Sequence, residues 1–203
     1  MSIASYSDLL TSAANWSGRS DLTSRIPEFI ALCEAKMNRK LREKEMVTRN
    51  GNFPIVGEFV PVPTGFGGVK TFYLNTSPKS QLEFMSDSLM TGQYDGVTGR
   101  PSKYNISGQE FRFGPTPDAT YSATLVYYMK VPALTSTATT NWMITNHPDA
   151  YQYGVLAELA GFAQDWNSAE KWVSAMYGVI DEIKKASNRD SYGGDGALVA
   201  RPG

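Results

Sequence analysis

The chain has 203 residues, 41% of them hydrophobic, which is enough apolar sequence for a substantial core and excludes an intrinsically disordered protein. There are 19 Lys and Arg residues and 20 Asp and Glu residues, so the chain lacks the basic excess typical of nucleic-acid-binding proteins. The N-terminus resembles no signal peptide, and no segment approaches the roughly 20 apolar residues of a membrane span. We therefore expect a protein made in the cytoplasm with no membrane partner.

The first 45 residues predict two amphipathic helices. Ser5 or Ser7 caps a short helix that ends at Gly18, and Trp16 belongs to its apolar face. The segment SRIPEFIALCEAKMNRKLREK predicts a longer helix with Pro27 in its first turn, because proline in a helix interior removes a hydrogen bond and clashes. The single cysteine, Cys33, lies on the apolar stripe of this helix, and we expect it to be a buried core residue.

Charged residues are concentrated at the far end of this second helix. This pattern has two interpretations: a solvated face with ion pairs between neighbouring turns, or a basic rim that faces a polyanion or an acidic partner. The basic residues are Lys36, Arg39, Lys40, Arg42 and Lys44, and the acidic ones are Glu34, Glu43 and Glu45.

From Met46 to about Lys130 the sequence changes from helical to alternating periodicity, with frequent glycine and proline, and a threonine-rich connector over 132–141 leads back to the helices. A hairpin is expected at Ser107-Gly108, and the section predicts a small antiparallel sheet or an open barrel. The glycine-rich stretch 92–100 lacks the Lys-Ser/Thr ending of a phosphate-binding loop, and we expect no such loop here. Predicted strands are Met46–Arg49, Glu58–Val62, Thr71–Leu74, Gln81–Met85, Ser102–Ile106, Glu110–Gly114 and Thr120–Lys130.

A helical hairpin is predicted near the C-terminus. Asn146 caps its first helix, Pro148 lies in the first turn, and residues 165–168 separate the two apolar stripes. The fold class is therefore α+β: a helical bundle of about four helices, an inserted small antiparallel β-domain and an extended C-terminal tail. The predicted boundaries are 1–45 and 142–188 for the bundle, 46–141 for the insertion and 189–203 for the tail.

No constellation of catalytic residues is found in the sequence. The single histidine, His147, is at a helix start and cannot form a histidine-rich metal site, and Cys33 is remote from it in the chain. Walker loops, nucleophile elbows and dinucleotide fingerprints are absent from the sequence. We expect no enzymatic activity, no cofactor and no metal.

Aromatic residues on the predicted strands have two interpretations. Phe111, Phe113 and Tyr127, with Lys103 and Arg112 nearby, could form a sheet that stacks nucleic-acid bases. Aromatic cross-strand pairs are also an ordinary way to stabilise a small sheet, and this second interpretation is favoured.

Three segments together resemble the head-to-tail adaptors of tailed bacteriophages, including the tail tubular protein A type. They are RIPEFIALCEAKMNRKLR, TGRPSKYNISGQEFRFGPTPDATYSATLVYYMKVPAL and TNHPDAYQYGVLAELAGFAQDWNSAEKWVSAMYGVIDEI, and they span nearly the whole chain. The resemblance lies in structural residues and in the order of the segments.

This resemblance implies a virion protein at the neck, assembled in the host cytoplasm as a ring of twelve copies beneath the portal. Its implied partners are the portal protein, a downstream tail or nozzle protein and passing double-stranded DNA that is bound without sequence specificity. The C-terminal tail would dock into the portal through Tyr192, Leu198, Val199 and Arg201. We further predict that Arg39, Lys40 and Arg42 lie at a protomer or portal interface or near the channel.

Two other functions stay open from the sequence. The β section could be a carbohydrate- or receptor-binding tail module that displays the loops 64–69 and 92–100. A DNA-binding factor is the third possibility, and the charge balance disfavours it.

Overall fold

The computed structural model describes residues 3–191 and has a mixed α+β architecture with antiparallel sheets, which confirms the α+β part of the predicted fold class. The residues group into two compact units. One consists of Met1–Glu45 together with Val131–Gly203, and we call it the helical unit. The other is Met46–Lys130, which we call the β unit.

Six α-helices occur in the described residues. All but the third belong to the helical unit, and 3₁₀ turns form at Ser20–Arg25 and Lys44–Met46. The helices are α1 (Tyr6–Ser17), α2 (Ile26–Lys40), α3 (Asp87–Tyr94), α4 (Trp142–Asn146), α5 (Pro148–Phe162) and α6 (Trp166–Ser191).

The ends of α1 follow the predicted capping chemistry. Ser5 Oγ accepts a hydrogen bond from the Asp8 N–H at 3.3 Å, and Gly18 ends the helix with φ of 63°, a conformation that favours glycine. The prediction for α2 was too long, because the helix ends at Lys40 and Leu41 is extended. Arg42 therefore lies beyond the helix.

The first helices of the C-terminal half begin differently from the prediction. Asn141, and not Asn146, is the capping residue: its Oδ1 accepts a hydrogen bond from the Ile144 N–H at 2.9 Å and starts α4. His147 precedes α5 without a side-chain capping bond, and Pro148 is the first residue of that helix. The turn between α5 and α6 is shorter than predicted, since α6 already begins at Trp166.

Helix α5 is the centre of the helical unit and contacts α1, α2, α4 and α6. Side chains around its circumference are buried, including Tyr151, Val155 and Leu159. At Gly154, a Cβ atom would lie 2.9 Å from Met176 Sδ and 3.3 Å from Cys33 Cβ. Helices α2, α5 and α6 can approach this closely because glycine has no side chain.

A buried hydrogen-bond network attaches the connector 131–141 to the helices. Glu34 Oε1 accepts hydrogen bonds from the Leu134 N–H at 2.8 Å and from the Tyr151 hydroxyl at 2.9 Å. The connector is therefore grouped with the helical unit, whereas the sequence pattern assigned it to the β section.

The β unit contains two four-stranded sheets. Sheet A has the strand order β1-β10-β3-β4, sheet B has the order β2-β8-β7-β5, and β6 and β9 form a separate pair. The long ladders are antiparallel, while the short β5–β7 and β6–β9 pairs are parallel. The strands are β1 (Val47–Ile55), β2 (Phe59–Pro61), β3 (Phe66–Leu74), β4 (Ser80–Gln81), β5 (Glu83–Phe84), β6 (Thr98–Gly99), β7 (Lys103–Ser107), β8 (Glu110–Gly114), β9 (Thr116–Pro117) and β10 (Tyr121–Met129).

The predicted hairpin β7–β8 is present, but its turn lies one residue later than expected: Ser107 is still paired with Glu110, and Gly108, at φ of 62°, and Gln109 form the turn. The first and third strands are longer than predicted. Strand β1 extends to Ile55 across a register shift between Asn50 and Phe53, and β3 begins at Phe66 within the expected loop 64–69. Alternating periodicity is interrupted at such irregularities, which is why the sequence pattern missed these residues.

Aromatic side chains from the two sheets form the core of the β unit. Phe72 of sheet A contacts Phe111 and Phe113 of sheet B, with ring centroids 5.3 and 5.7 Å apart. Phe111 and Phe113 are almost fully buried and cannot stack on nucleic-acid bases. The structural interpretation of these aromatics is therefore confirmed.

Candidate assembly surfaces

The basic residues singled out at the end of α2 are exposed on the helical unit. Lys40 Nζ lies 5.5 Å from the centroid of the Tyr177 ring on α6. Arg42 Nη1 donates to the carbonyl oxygens of Asn38 at 2.9 Å and Leu41 at 2.6 Å. Arg42 thus satisfies acceptors that the helix end leaves open, a structural task that the sequence pattern did not reveal.

Arg39 differs from its two neighbours. It is exposed and has no hydrogen-bond or ion-pair partner within residues 3–191. We refer to Arg39, Lys40 and Arg42 as the basic end. Lys36 does not belong to this surface, because its Nζ is 2.5 Å from Glu158 Oε1 and holds α2 against α5. The basic end therefore combines a free guanidinium with two cations that are already oriented by contacts.

An aromatic surface that the sequence analysis missed lies around the α5–α6 turn. Trp166 is 70% exposed, Trp16 59% and Phe162 48%. Trp16 was predicted to supply the apolar face of α1, but its ring lies 6.0 Å from that of Trp172 at the surface. Phe162 contacts Phe29, and we name the group Trp16, Phe162, Trp166 and Trp172 the aromatic end.

A cavity of about 460 Å³ opens beside this aromatic end. Leu156 and Leu159 of α5 line it together with Trp16 and Trp172, and Arg19 lies at its rim. Arg19 Nη2 is 2.8 Å from Asp21 Oδ2, so this cation is paired within its own chain. The leucine and tryptophan side chains that line the cavity can contact a large apolar side chain from another polypeptide. Exposed aromatic patches of this kind commonly mark protein interfaces.

Cys33 and His147 hold structural positions. Cys33 is fully buried, and burial raises the pKa of its thiol well above the ordinary value, so the reactive thiolate is disfavoured. The His147 ring packs edge-on against Trp142 with centroids 6.4 Å apart. Over residues 3–191 there is no group of three His, Cys, Asp or Glu side chains that could hold a metal ion.

The buried network around Glu34 is electrostatically unusual. Burial raises the pKa of the Glu34 carboxyl, and the hydrogen bonds from the Leu134 N–H and the Tyr151 hydroxyl oppose this shift. Burial and the nearby Glu34 raise the pKa of Tyr151. The Asn141 amide also donates to the Tyr151 oxygen, at 2.8 Å. These groups are enclosed by protein, so we assign them to fold stability.

Arg112 organises one side of the β unit. Its guanidinium donates to Glu58 Oε1 at 2.8 Å, to Asp87 Oδ1 at 3.0 Å and to Thr91 Oγ1 at 2.7 Å. Two of these partners belong to α3, which is thereby fixed against sheet B. The sequence had grouped Arg112 with residues suited to nucleic-acid binding, but the structure commits it to internal contacts.

The remaining sequence predictions fall outside these surfaces. The docking residues Tyr192, Leu198, Val199 and Arg201 lie outside the described residues. The glycine-rich stretch 92–100 includes the end of α3 and the short strand β6, so it does not connect a strand to a helix as a phosphate-binding loop would. Within residues 3–191 no helix is both long and apolar enough to cross a membrane.

Exposed aromatic side chains beside a cavity are features of a surface that binds other proteins. The family model described as SU10 adaptor protein matches residues 4–201, which is nearly the whole chain. The chain belongs to this family, and it is therefore a phage adaptor protein, a structural and non-catalytic kind. No curated protein matches the chain.

Family membership confirms the predicted class of phage adaptor. It also implies the virion neck as the location and phage structural proteins, such as portal and tail proteins, as partners. The assignment to the tail tubular protein A type goes beyond what the family match shows.

Proposed function

We propose that this chain is a head-to-tail adaptor of the tail tubular protein A type that forms a ring of twelve copies under the portal. The ring extends the DNA channel and offers the attachment surface for the next tail or nozzle protein. The observation that carries this proposal is the family match, because it covers residues 4–201 and so includes both units. Assembly takes place in the host cytoplasm, and double-stranded DNA passes through without sequence-specific contacts.

The helical unit is proposed to act as a helical bundle that forms the wall of the ring. A closed ring needs heterologous contacts, in which one surface of a protomer binds a different surface of its neighbour. The aromatic end is beside the N-terminal half of α2, where Phe29 contacts Phe162, and the basic end is at the opposite end of that helix. Ten residues of helix separate Phe29 from Arg39, a distance of about 15 Å, so the unit presents two distinct patches as ring closure requires.

The net charge of the chain also supports a channel wall. A formal charge of −1 gives little overall attraction for the phosphate backbone, and each additional neutralised phosphate would add salt-dependent affinity. DNA can therefore slide past such a protein. In the same proposal, Tyr192, Leu198, Val199 and Arg201 dock the C-terminal segment into the portal, and Arg39, Lys40 and Arg42 lie at a protomer or portal interface or near the channel.

The role of the basic end is tested with the double variant Arg39→Glu, Lys40→Glu, supplied in place of the wild type during phage assembly. We leave Arg42 unchanged because it satisfies carbonyl groups at the end of α2. Charge reversal should lower the fraction of heads that carry a complete ring and retain DNA, as counted by electron microscopy. The matched control, Lys70→Glu with Lys79→Glu in the β unit, introduces the same charge change and should leave the ring intact.

Normal rings and normal DNA retention in the Arg39 and Lys40 variant would contradict the placement of the basic end. The aromatic end is tested separately by Trp166→Ala, which removes a ring that is 70% exposed and therefore contributes little to the fold of the monomer. Loss of ring assembly by a folded Trp166→Ala protein would support an interface at that end.

A further inference from the structure

One face of sheet A is charged with a single sign. The four strands of this sheet, β1, β3, β4 and β10, contain no Asp or Glu. They contribute Arg49 and Lys70, and Lys79 immediately precedes β4. All three cations are exposed.

The strand register places these cations on the face that points away from the core. Leu125 and Tyr127 of β10 are buried on the inner face, so Val126 and Tyr128 point outward. Arg49 is paired with Val126 in the ladder and shares its outward face. Lys70 Nζ lies 5.9 Å from the centroid of the outward-facing Tyr128 ring.

A second lysine makes a cation–π contact with a tyrosine ring on the same face. Lys79 Nζ lies 5.0 Å from the centroid of Tyr73. Beside this pair is a shallow depression of about 280 Å³ lined by Thr71, Tyr73, Lys79 and Gln81. A hydroxyl, an amide and an ammonium around one depression are suitable donors for a carboxylate side chain.

The cations of sheet B, unlike those of sheet A, form ion pairs within the β unit. Arg112 is paired with Glu58 and Asp87, and Lys103 is paired with Glu83. By contrast, within residues 3–191 no ion-pair partner is found for Arg49, Lys70 or Lys79. The β unit thus neutralises the positive charge of one sheet internally and leaves that of the other sheet exposed.

The chemistry of this face favours a polypeptide over duplex DNA as the occupant. Tyrosine and arginine, which this face presents as Tyr73, Tyr128 and Arg49, are enriched at protein interfaces. Three cations could neutralise only about three phosphates, and this would give weak binding that is lost at physiological salt. A carboxylate-bearing segment, in contrast, can also use the depression beside Tyr73.

We propose that the outer face of sheet A, defined by Arg49, Lys70, Tyr73, Lys79 and Tyr128, binds an acidic segment of another virion protein. The cation–π contacts hold two of the cations close to the sheet, so less side-chain freedom is lost when a carboxylate binds. The inference rests on the proposed function for the identity of the partner as a virion protein. The affinity of the face for acidic polypeptide does not depend on it.

In the first test the full-length protein is titrated with a polyglutamate peptide and, separately, with duplex DNA of equal total charge. Isothermal titration calorimetry measures the affinity, and amide NMR shifts locate the binding surface. Polyglutamate should bind and shift signals of β3, β4 and β10. The variant Lys70→Gln, Lys79→Gln should lose about five- to tenfold in affinity, on the scale of two exposed ion pairs. The control Lys171→Gln, Lys185→Gln removes the same charge from the helical unit and should bind like the wild type.

Three results would overturn the proposal. The first is a failure of polyglutamate to bind. The second is an equal loss of affinity in both double variants, which would indicate a response to net charge alone. Tighter binding of duplex DNA than of polyglutamate, abolished by Lys70→Gln with Lys79→Gln, would assign the face to nucleic acid.

A second test uses assembling particles and separates this inference from the proposed function. Heads that contain the Lys70→Glu, Lys79→Glu variant should carry a normal ring but lack the next tail component. Normal tails on these particles would overturn the sheet A proposal and leave the adaptor role intact. If wild-type protein itself adds no ring to heads, the proposed function fails, whatever the polyglutamate result.

Discussion

The substitution Gly154→Ala tests the packing at the centre of the helical unit. An alanine Cβ at this position would lie 2.9 Å from Met176 Sδ, 3.3 Å from Cys33 Cβ and closer still to Cys33 Sγ. Met176 can move because its side chain is flexible, but Cys33 is short and fully buried on α2. The clash can therefore be relieved only by separating the helices.

The magnitude follows from two opposing terms. Overpacking of a well-packed core costs about 1–3 kcal/mol, and replacing glycine by alanine in a helix returns about 1 kcal/mol. We take the upper part of the first range because two helices are contacted at once, and expect a net loss of about 2 kcal/mol in the free energy of unfolding. The control Gly161→Ala, in the same helix with no atom within 4 Å of its Cβ, should be neutral or slightly stabilising.

The assay is urea denaturation followed by tryptophan fluorescence. All four tryptophans, Trp16, Trp142, Trp166 and Trp172, belong to the helical unit, so the signal reports on that unit. With a slope of about 1–3 kcal/mol per molar urea, the midpoint should fall by about 1 M. The added variant Cys33→Ala should restore part of the loss by removing the closest atom, giving a coupling energy of about 1 kcal/mol or more. Equal midpoints for Gly154→Ala and Gly161→Ala would refute the packing argument.

Further predictions concern the two polar networks. Arg112→Met removes the contacts to Glu58, Asp87 and Thr91, and because the Arg112 side chain is only 12% exposed we expect a loss of about 2 kcal/mol confined to the β unit. Hydrogen exchange of α3 should accelerate while the tryptophan transition is unchanged; an unchanged exchange rate would show that the network does not hold α3. Glu34 has a raised pKa in the folded state, so its contribution to stability is fully present below the ordinary glutamate pKa of about 4.3 and is lost as the pH rises through the folded value. Relative to Glu34→Gln, the wild type should therefore become less stable as the pH increases across this window in urea titrations, and a pH-independent difference would contradict the assignment. Tyr151→Phe removes the hydroxyl that joins Glu34 and Asn141 and should cost about 1–2 kcal/mol by the same fluorescence assay, whereas Tyr153→Phe, on the partly exposed side of α5, should cost less.

Local chemistry made several elements predictable from the sequence. Ser5 marks the start of α1 because its hydroxyl oxygen accepts a hydrogen bond from a free backbone N–H. Gly18 marks the end of α1 because glycine adopts a left-handed conformation at low cost. The hairpin between β7 and β8 was predictable to within one residue for the same reason, because Gly108 adopts a left-handed conformation in its turn. These rules act over a few residues, so they do not depend on what the rest of the chain does.

Features set by distant contacts were not predictable in this way. Trp16 fits the apolar periodicity of α1, yet its ring lies at the surface next to Trp172, which is more than 150 residues away in sequence. The role of Arg42 also required the position at which α2 ends. Periodicity identifies an apolar face but does not reveal whether another element covers it.

The sequence contains one signal of the charged face of sheet A. The segments VTRNGNFPI, FGGVKTFYL and YSATLVYYM lack acidic residues, but their relation becomes clear only when the ladders join β1, β10 and β3 in one sheet. Strand pairing is a long-range property, and the sequence pattern alone leaves it open.

The central claim, that this chain is a ring-forming adaptor of the phage neck, is tested most directly by electron microscopy of purified portal particles from the same phage mixed with the full-length protein. A second sample should contain a chain that ends at Ser191, which leaves α6 intact and removes the proposed docking segment. The account predicts that full-length protein adds a closed ring of density to one end of the portal and that the shortened chain does not. A ring from both proteins would remove the docking role of the tail, and no added density from the full-length protein would contradict the adaptor ring itself.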